Sequence, residues 1–410
     1  MSHNDDHVSR RAVLAGGAGG ALATLLARDK AMANAATQEL PDVYQALGLQ
    51  RIINAAGTIT TLGGSLMPPE VVAAWNAAAR SFVSLNELQD RVGEKIAERL
   101  GVEAALVTTG AAGGILVGTA AAVTHRDHDL VSRLPLPPEM DLQVIRQTSH
   151  RQCYDNQVTT CGVRLVDVET RDDLERAINE RTVMMFSYNV AEGESKIPQS
   201  EWVEVARRHN IPTLLDAAAD TPPLDALWKY NRLGYDMVVF SGGKAIRGPQ
   251  DAGLLLGRKD LIEAAKLNTA PRCSNIGRCL KVSKEDMVAM WAAVERFVSL
   301  DHEAQQRDWL ARIATIEQAV ASIPTVSTKR ITPPIANHVP HLIVLWDEQR
   351  VPISPQQVKQ QLAAGDPSIA TARVHGTGDE GFLISVFMLQ QGEDAIVAAR
   401  LREVLQAAAG

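Results

Sequence analysis

The sequence predicts an α/β protein, with a mostly parallel, doubly wound sheet in a large domain and a small α+β domain at the C-terminus. Three observations predict it. Short apolar runs alternate with helical segments between residues 104 and 241, the rhythm of strands joined by crossover helices. The 410 residues are 46% hydrophobic and 22% charged, enough for one large core and a smaller companion. Beyond residue 284 a long amphipathic stretch leads into a shorter mixed set of strands and helices, which sets the last third apart.

In chain order, the first 33 residues differ in kind from the rest. Ser9-Arg10-Arg11-Ala12-Val13-Leu14 sets an arginine pair before a Gly/Ala-rich apolar stretch, and Ala31-Met32-Ala33 follows as a small-x-small triplet. This order reads as a twin-arginine export signal cleaved near Ala33, and predicts a periplasmic protein. Residues 34–67 form an arm in which 51–66, rich in Gly and Thr, is expected to be ordered but irregular. The large domain is expected over 68–283. Its helices are predicted over Pro68–Phe82, Leu85–Leu100 and 111–123, with Pro at the first start and Gly101 at the second end as punctuation. Helices near 171–179 and 200–209 separate later strands.

Strands are predicted at Ala104–Thr108, Gln143–Thr148, Arg164–Val168, Val183–Tyr188, Pro212–Asp216 and Tyr235–Ser241, with Leu254–Leu256 as an antiparallel neighbour because no helix precedes it. Residues 284–410 supply a long linking helix and the small domain. In 284–322, Met287, Met290, Trp291, Val294, Phe297 and Val298 recur at helical spacing as a core-facing stripe. The small domain then takes strands at Leu342–Trp346, Ala372–His375 and Gly381–Met388 and helices at 355–364 and 392–407.

Composition narrows the partners. Lys and Arg number 41 against 48 Asp and Glu, for a formal charge of −7 without a basic patch, so nucleic acid is not expected. No apolar run reaches the roughly 18–20 residues of a membrane span. The cysteines at 153, 161, 273 and 279 lack C-x-x-C spacing. Free thiols and no structural metal are expected, and Thr124–Asp129 reads as a solvated loop rather than a metal site.

The chemistry concentrates at two strand ends. Asp216-Ala-Ala-Ala-Asp220 closes one predicted strand and Ser241-Gly242-Gly243-Lys244 the next. In an open α/β sheet the crevice beyond the carboxyl strand ends binds ligands, which brings an acid and a lysine to one site. A lysine in such a setting is suited to Schiff-base chemistry. The turn Thr108-Thr109-Gly110-Ala111-Ala112-Gly113-Gly114, from strand to helix, offers backbone N–H groups to a phosphate. Together these are the parts of a pyridoxal 5′-phosphate site. No Lys-Ser/Thr follows the Gly-rich turn and no G-x-G-x-x-G follows a strand, which excludes a Walker loop and a dinucleotide fingerprint.

Three segments carry a resemblance. Ile53-Asn54-Ala55-Ala56-Gly57-Thr58, Phe240-Ser241-Gly242-Gly243-Lys244-Ala245-Ile246-Arg247-Gly248-Pro249-Gln250 and Ile276-Gly277-Arg278-Cys279-Leu280-Lys281-Val282-Ser283-Lys284-Glu285 resemble the fold-type I pyridoxal-phosphate enzymes related to selenocysteine synthase, in particular the D-glucosaminate-6-phosphate ammonia-lyase branch. The resemblance runs from about residue 40 to the C-terminus. It implies that Lys244 carries the cofactor, that Asp216 meets the pyridine nitrogen, and that Gly110, Ala111, Ala112 and Ser241 hold the phosphate. It also implies that Ala218 lies against one face of the ring and His150 stacks on the other, with Tyr154 as the competitor for that place. Leu383 stands where similar enzymes use an arginine for the substrate carboxylate, leaving Arg272, Arg278 and Arg373 as candidates.

Sites in similar enzymes form between subunits, which implies a homodimer or higher oligomer with residues 246–250 near the boundary. The expected activity is ammonia elimination from a small hydroxy amino acid or amino-sugar acid. Racemisation and retro-aldol cleavage with the same cofactor are the alternatives. A non-catalytic ligand-binding relic is the alternative of another class, disfavoured by the joint presence of Lys244 and Asp216.

Overall fold

The computed structural model describes residues 42–372 and 381–410. The expected export signal and Arg373 lie outside the described residues. Seven strands form the main sheet: β2 (Ala104–Thr109), β3 (Gln143–Gln147), β4 (Arg164–Val168), β5 (Thr182–Tyr188), β6 (Thr213–Asp216), β7 (Met237–Ser241) and β8 (Ala252–Gly257), in the order β2-β8-β7-β6-β5-β3-β4. Strands β7, β6, β5, β3 and β4 pair in parallel, and β8 runs antiparallel to both its neighbours, β2 and β7. The antiparallel placement of Leu254–Leu256 is as the sequence predicts.

Successive residues of the central strands enter opposite cores. Leu215, Val238, Leu254 and Leu256 belong to one cluster, whereas Leu214, Val239 and Leu255 belong to the other. A pleated strand turns alternate side chains to opposite faces, so continuous apolar runs are needed when helices cover both. One cover is α4 (Gly110–Thr124), buried over nearly its whole length. Its glycines set how closely it approaches the sheet: a Cβ on Gly114 would lie 2.8 Å from Val239 Cγ1. On the outer side α3 (Leu85–Leu100) starts at Ser84, whose Oγ accepts from the Glu87 N–H, and stops at Gly101 with φ +65°.

The structure departs from expectation in three places. Ile52–Ala55 is a regular strand, β1, paired in parallel with β11 (Ser368–Thr371); its partner comes from the far end of the chain, which no local pattern announces. The stretch 284–322 is two helices, α10 (Lys284–Ser299) and α11 (His302–Val320), separated at Asp301, whose carboxylate accepts from the Ala304 N–H and starts the second. The expected strand Ala372–His375 is represented among the described residues by β11 just before it and by an isolated bridge from Ala372 to Leu383. The small domain is closed by an antiparallel sheet of β9 (Ser327–Ile331), β10 (His341–Leu345) and β12 (Phe382–Ser385), with its own core.

All four cysteines are free; Cys161 is buried and the other three exposed. No described helix is long and apolar enough to cross a membrane.

Candidate active site

Strand register assembles the site. Asp216 is the last residue of β6 and Ser241 the last of β7, on neighbouring parallel strands. The Ala217 N–H donates to Val239 O at 3.0 Å and the Ser241 N–H to Ala218 O at 3.3 Å, so the two strand ends stay zipped past the sheet. Ser241 stands opposite Gly253 of β8, and Gly253 opposite Thr108 of β2. A Cβ on Gly253 would lie 2.4 Å from Gly110 C, so only glycine lets the start of α4 descend onto this level. The Ser241–Lys244 turn is equally tight: a Cβ on Gly243 would lie 2.5 Å from Gln250 Cα, and Gly248 N–H donates to Gly242 O at 2.8 Å.

At the start of α4 the backbone N–H groups of Gly110, Ala111 and Ala112 open onto this level. No side chain caps them, Gly110 has φ +62°, and Thr109 Oγ1 is buried with no hydrogen-bond partner. Uncapped N–H groups with the positive end of the helix dipole, and an orphaned hydroxyl beside them, suit a phosphate.

Asp216 and Lys244 face each other electrostatically. Burial pushes the Asp216 carboxyl up to about 6, against the Ala218 N–H that donates to it at 2.9 Å and the positive charge of Lys244. Burial lowers the Lys244 amine below the ordinary lysine range, while Asp216 and then Asp220 pull it back. Among the described residues the Lys244 ammonium has no hydrogen bond or ion pair, so it is held in the site by burial and by two nearby carboxylates. A desolvated, unpartnered amine is a nucleophile and a base.

The structure places His150 in the interior, at the end of β3. It is completely buried by protein. Its Nδ1 accepts from the Tyr188 N–H at 3.0 Å, which leaves Nε2 to donate to Ser195 Oγ at 2.7 Å, and Ser195 Oγ in turn donates to Glu192 at 3.1 Å. Burial, then the Arg146 charge, lowers its pKa to about 4. It is neutral, with both ring nitrogens engaged inside the protein. Tyr154, the competitor, is exposed, and its phenol pKa is raised by partial burial, then by Cys153 and Asp216. Ala218 is half-buried just beyond the end of β6.

Of the carboxylate candidates, Arg272 is committed to the Lys266 carbonyl at 2.8 Å and Arg278 is exposed. The segment 246–250 is used within the chain. Arg247, left-handed at φ +59°, donates from Nε to Leu66 O at 2.8 Å, and Gln250 donates to Thr60 O at 3.0 Å. These bonds clamp the 60–66 arm over the lysine turn. Asn189 and Tyr230 were not legible as site residues; both donate to the buried Asp220 carboxylate, and neither lies in a motif.

Known proteins are similar to this chain in sequence and fold. The family model for L-seryl-tRNA selenium transferase matches residues 52–344. A D-glucosaminate-6-phosphate ammonia lyase from Salmonella typhimurium is 31% identical over 382 residues, 90% of this chain and 99% of that one. A solved structure of D-glucosaminate-6-phosphate ammonia-lyase superposes with a TM-score of 0.77 at 30% identity, covering 90% of this chain and all of the other. A structure of SPT with PLP is 13% identical, with a TM-score of 0.52 over 87% of this chain and 88% of that one, a likeness of fold.

Proposed function

The chain belongs to the L-seryl-tRNA selenium transferase family, and on that premise we propose that it is an ammonia-lyase acting by α,β-elimination on a small hydroxy amino acid or an amino-sugar acid. Its cofactor is pyridoxal 5′-phosphate, and the residues fit it: the uncapped start of α4 with the orphaned Thr109 hydroxyl for the phosphate, Asp216 for the ring nitrogen, Lys244 for the carbonyl carbon. When bound, this cofactor supplies an electron sink that acidifies the Cα–H of an amino acid.

The observation that carries the reading is that Lys244 and Asp216 end neighbouring strand segments and act on one another's charge, with their pKa values displaced toward one another by burial. Lys244 delivers a neutral amine to the Cα proton. Asp216, ionised once a cation stands beside it, keeps a proton on the ring nitrogen. With a hydroxyl at Cβ, loss of the Cα proton and of hydroxide, followed by hydrolysis, yields ammonia and a 2-oxo acid. The holoenzyme should therefore release ammonia and 2-oxo acid from members of a panel of L- and D-β-hydroxy amino acids and D-glucosaminate in D₂O. Cα deuterium with inversion and no ammonia would replace the lyase by a racemase.

The Arg10-Arg11 signal supports export of the folded protein to the periplasm, and the resemblance to enzymes whose sites form between subunits supports a dimer of like chains. Arg10→Lys with Arg11→Lys should leave full-length protein in the cytoplasm, and mature wild-type protein should have a dimer's mass by light scattering. Continued export of the double variant, or an active monomer, would remove that part of the proposal.

A further inference from the structure

Where the arm meets the lysine turn, several hydrogen-bond donors lack acceptors. The segment from Ser65 to Glu70 leads out of the clamped arm into α2 (Pro69–Ala78). Two guanidinium groups from different elements hold it. Arg247, three residues past Lys244, donates from Nε to Leu66 O at 2.8 Å, and Arg296 of α10 donates from Nε to Glu70 at 2.5 Å. The donors beside these bonds are unused. Arg296 Nη1 and Ser65 Oγ are buried with no hydrogen-bond partner, and the Nη groups of Arg247 have no hydrogen bond or ion pair among the described residues. Gly64, next to Ser65, is seated on the turn itself, since a Cβ there would lie 2.6 Å from Gly243 O.

We infer that this cluster is an oxyanion site, in which Arg247, Arg296 and Ser65 donate to the oxygens of a carboxylate or phosphate. Buried donors without acceptors are costly, the more so on a cation. Guanidinium groups only donate, and an oxyanion only accepts, so one ligand satisfies them all with charge-assisted bonds. The charges agree. Half-buried Arg247 feels the charge of Arg296, then of Glu70 and Arg312. Arg312 is already committed to Leu389 O and, at 2.8 Å, to Asp308. Three arginines against Glu70 and Asp308 leave one positive charge in excess, which water does not neutralise. Two sources offer the required chemistry, the substrate's own carboxylate and a free phosphate. The first rests on the lyase reading in taking the amino end of the substrate to be at Lys244, and would stand in for the arginine that Leu383 replaces. The second is independent of it.

The test uses holoprotein, whose cofactor occupies the phosphate position at α4. It is titrated with glycine and with glycinamide by the change in cofactor absorbance, each expressed per unprotonated amine, and calorimetrically with inorganic phosphate at matched ionic strength. Glycine has no leaving group at Cβ, so nothing is eliminated. Either glycine should bind at least about tenfold more tightly than glycinamide, or phosphate should bind saturably. Arg247→Met and Ser65→Ala, each checked for native cofactor absorbance, should weaken that binding at least about tenfold, and Arg247→Lys should retain most of it. Loss of the glycine preference assigns the site to the substrate's carboxylate, and loss of phosphate binding with glycine unchanged assigns it to a free anion. Absence of both in the wild type, or their persistence in Arg247→Met and Ser65→Ala, would overturn the inference. Failure of the lyase reading looks different: no ammonia from any hydroxy amino acid, with these binding differences intact.

Discussion

Lys244→Ala is expected to lower turnover by at least about four orders of magnitude, because one substitution removes both the amine that carries the cofactor and the base for the Cα proton. Among the described residues, Lys244 is the lysine whose charge acts on Asp216. Lys229 and Lys244 both act on the charge of Asp220, and the buried Lys266 is paired with Asp90 and Glu263 at 2.8 and 2.9 Å. Borohydride treatment of the wild-type holoenzyme followed by peptide mapping should find the cofactor covalently on Lys244, and the variant should yield no labelled peptide. A label on any other lysine would overturn the assignment. The cavity left is small and the residue lies in a turn rather than in a core cluster, so the variant should still fold.

Asp216→Asn is expected to cost about 10²- to 10⁴-fold in kcat while leaving much of the cofactor affinity, since an amide accepts a hydrogen bond without holding a proton on the ring nitrogen. A second readout separates this role from a structural one. The Asp216 carboxyl is raised from 3.8 to about 6 by burial, so the folded cofactor-free protein binds this proton more tightly than the unfolded chain. Its contribution is fully present below about pH 4 and is lost as pH rises through about 6, a difference of about 3 kcal/mol. The melting temperature of the cofactor-free wild type should therefore fall between pH 4 and 7 by more than that of Asp216→Asn. Parallel profiles would show that Asp216 is not the buried acid described.

The large sheet was legible because its signals are local. Continuous apolar runs such as Leu214–Leu215 and Val238–Phe240 must bury both faces, and a helix that begins with Gly110 and runs through Ala and Gly has no role on a surface. The lysine and its acid were legible for the same reason, since each ends a strand and strand ends define the crevice. What stayed hidden depends on contacts between distant segments. His150 looks like a polar-loop residue, and only the Tyr188 N–H and Ser195 Oγ reveal that both its nitrogens are engaged. Asn189 and Tyr230 become site residues only through Asp220, and the clamp from Arg247 and Gln250 onto residues 60–66 joins parts that no periodicity links.

The parallel pairing of Ile52–Ala55 with Ser368–Thr371 bears on how the molecule is made. During synthesis the earlier strand emerges with its partner still untranslated, and it must wait, edge exposed, for almost the whole polypeptide. Joining segments so distant carries a large loop-closure entropy, relieved once the big domain has brought them near. The small domain therefore matures last, and a ribosome stalled before residue 368 leaves the N-terminal arm without its strand partner.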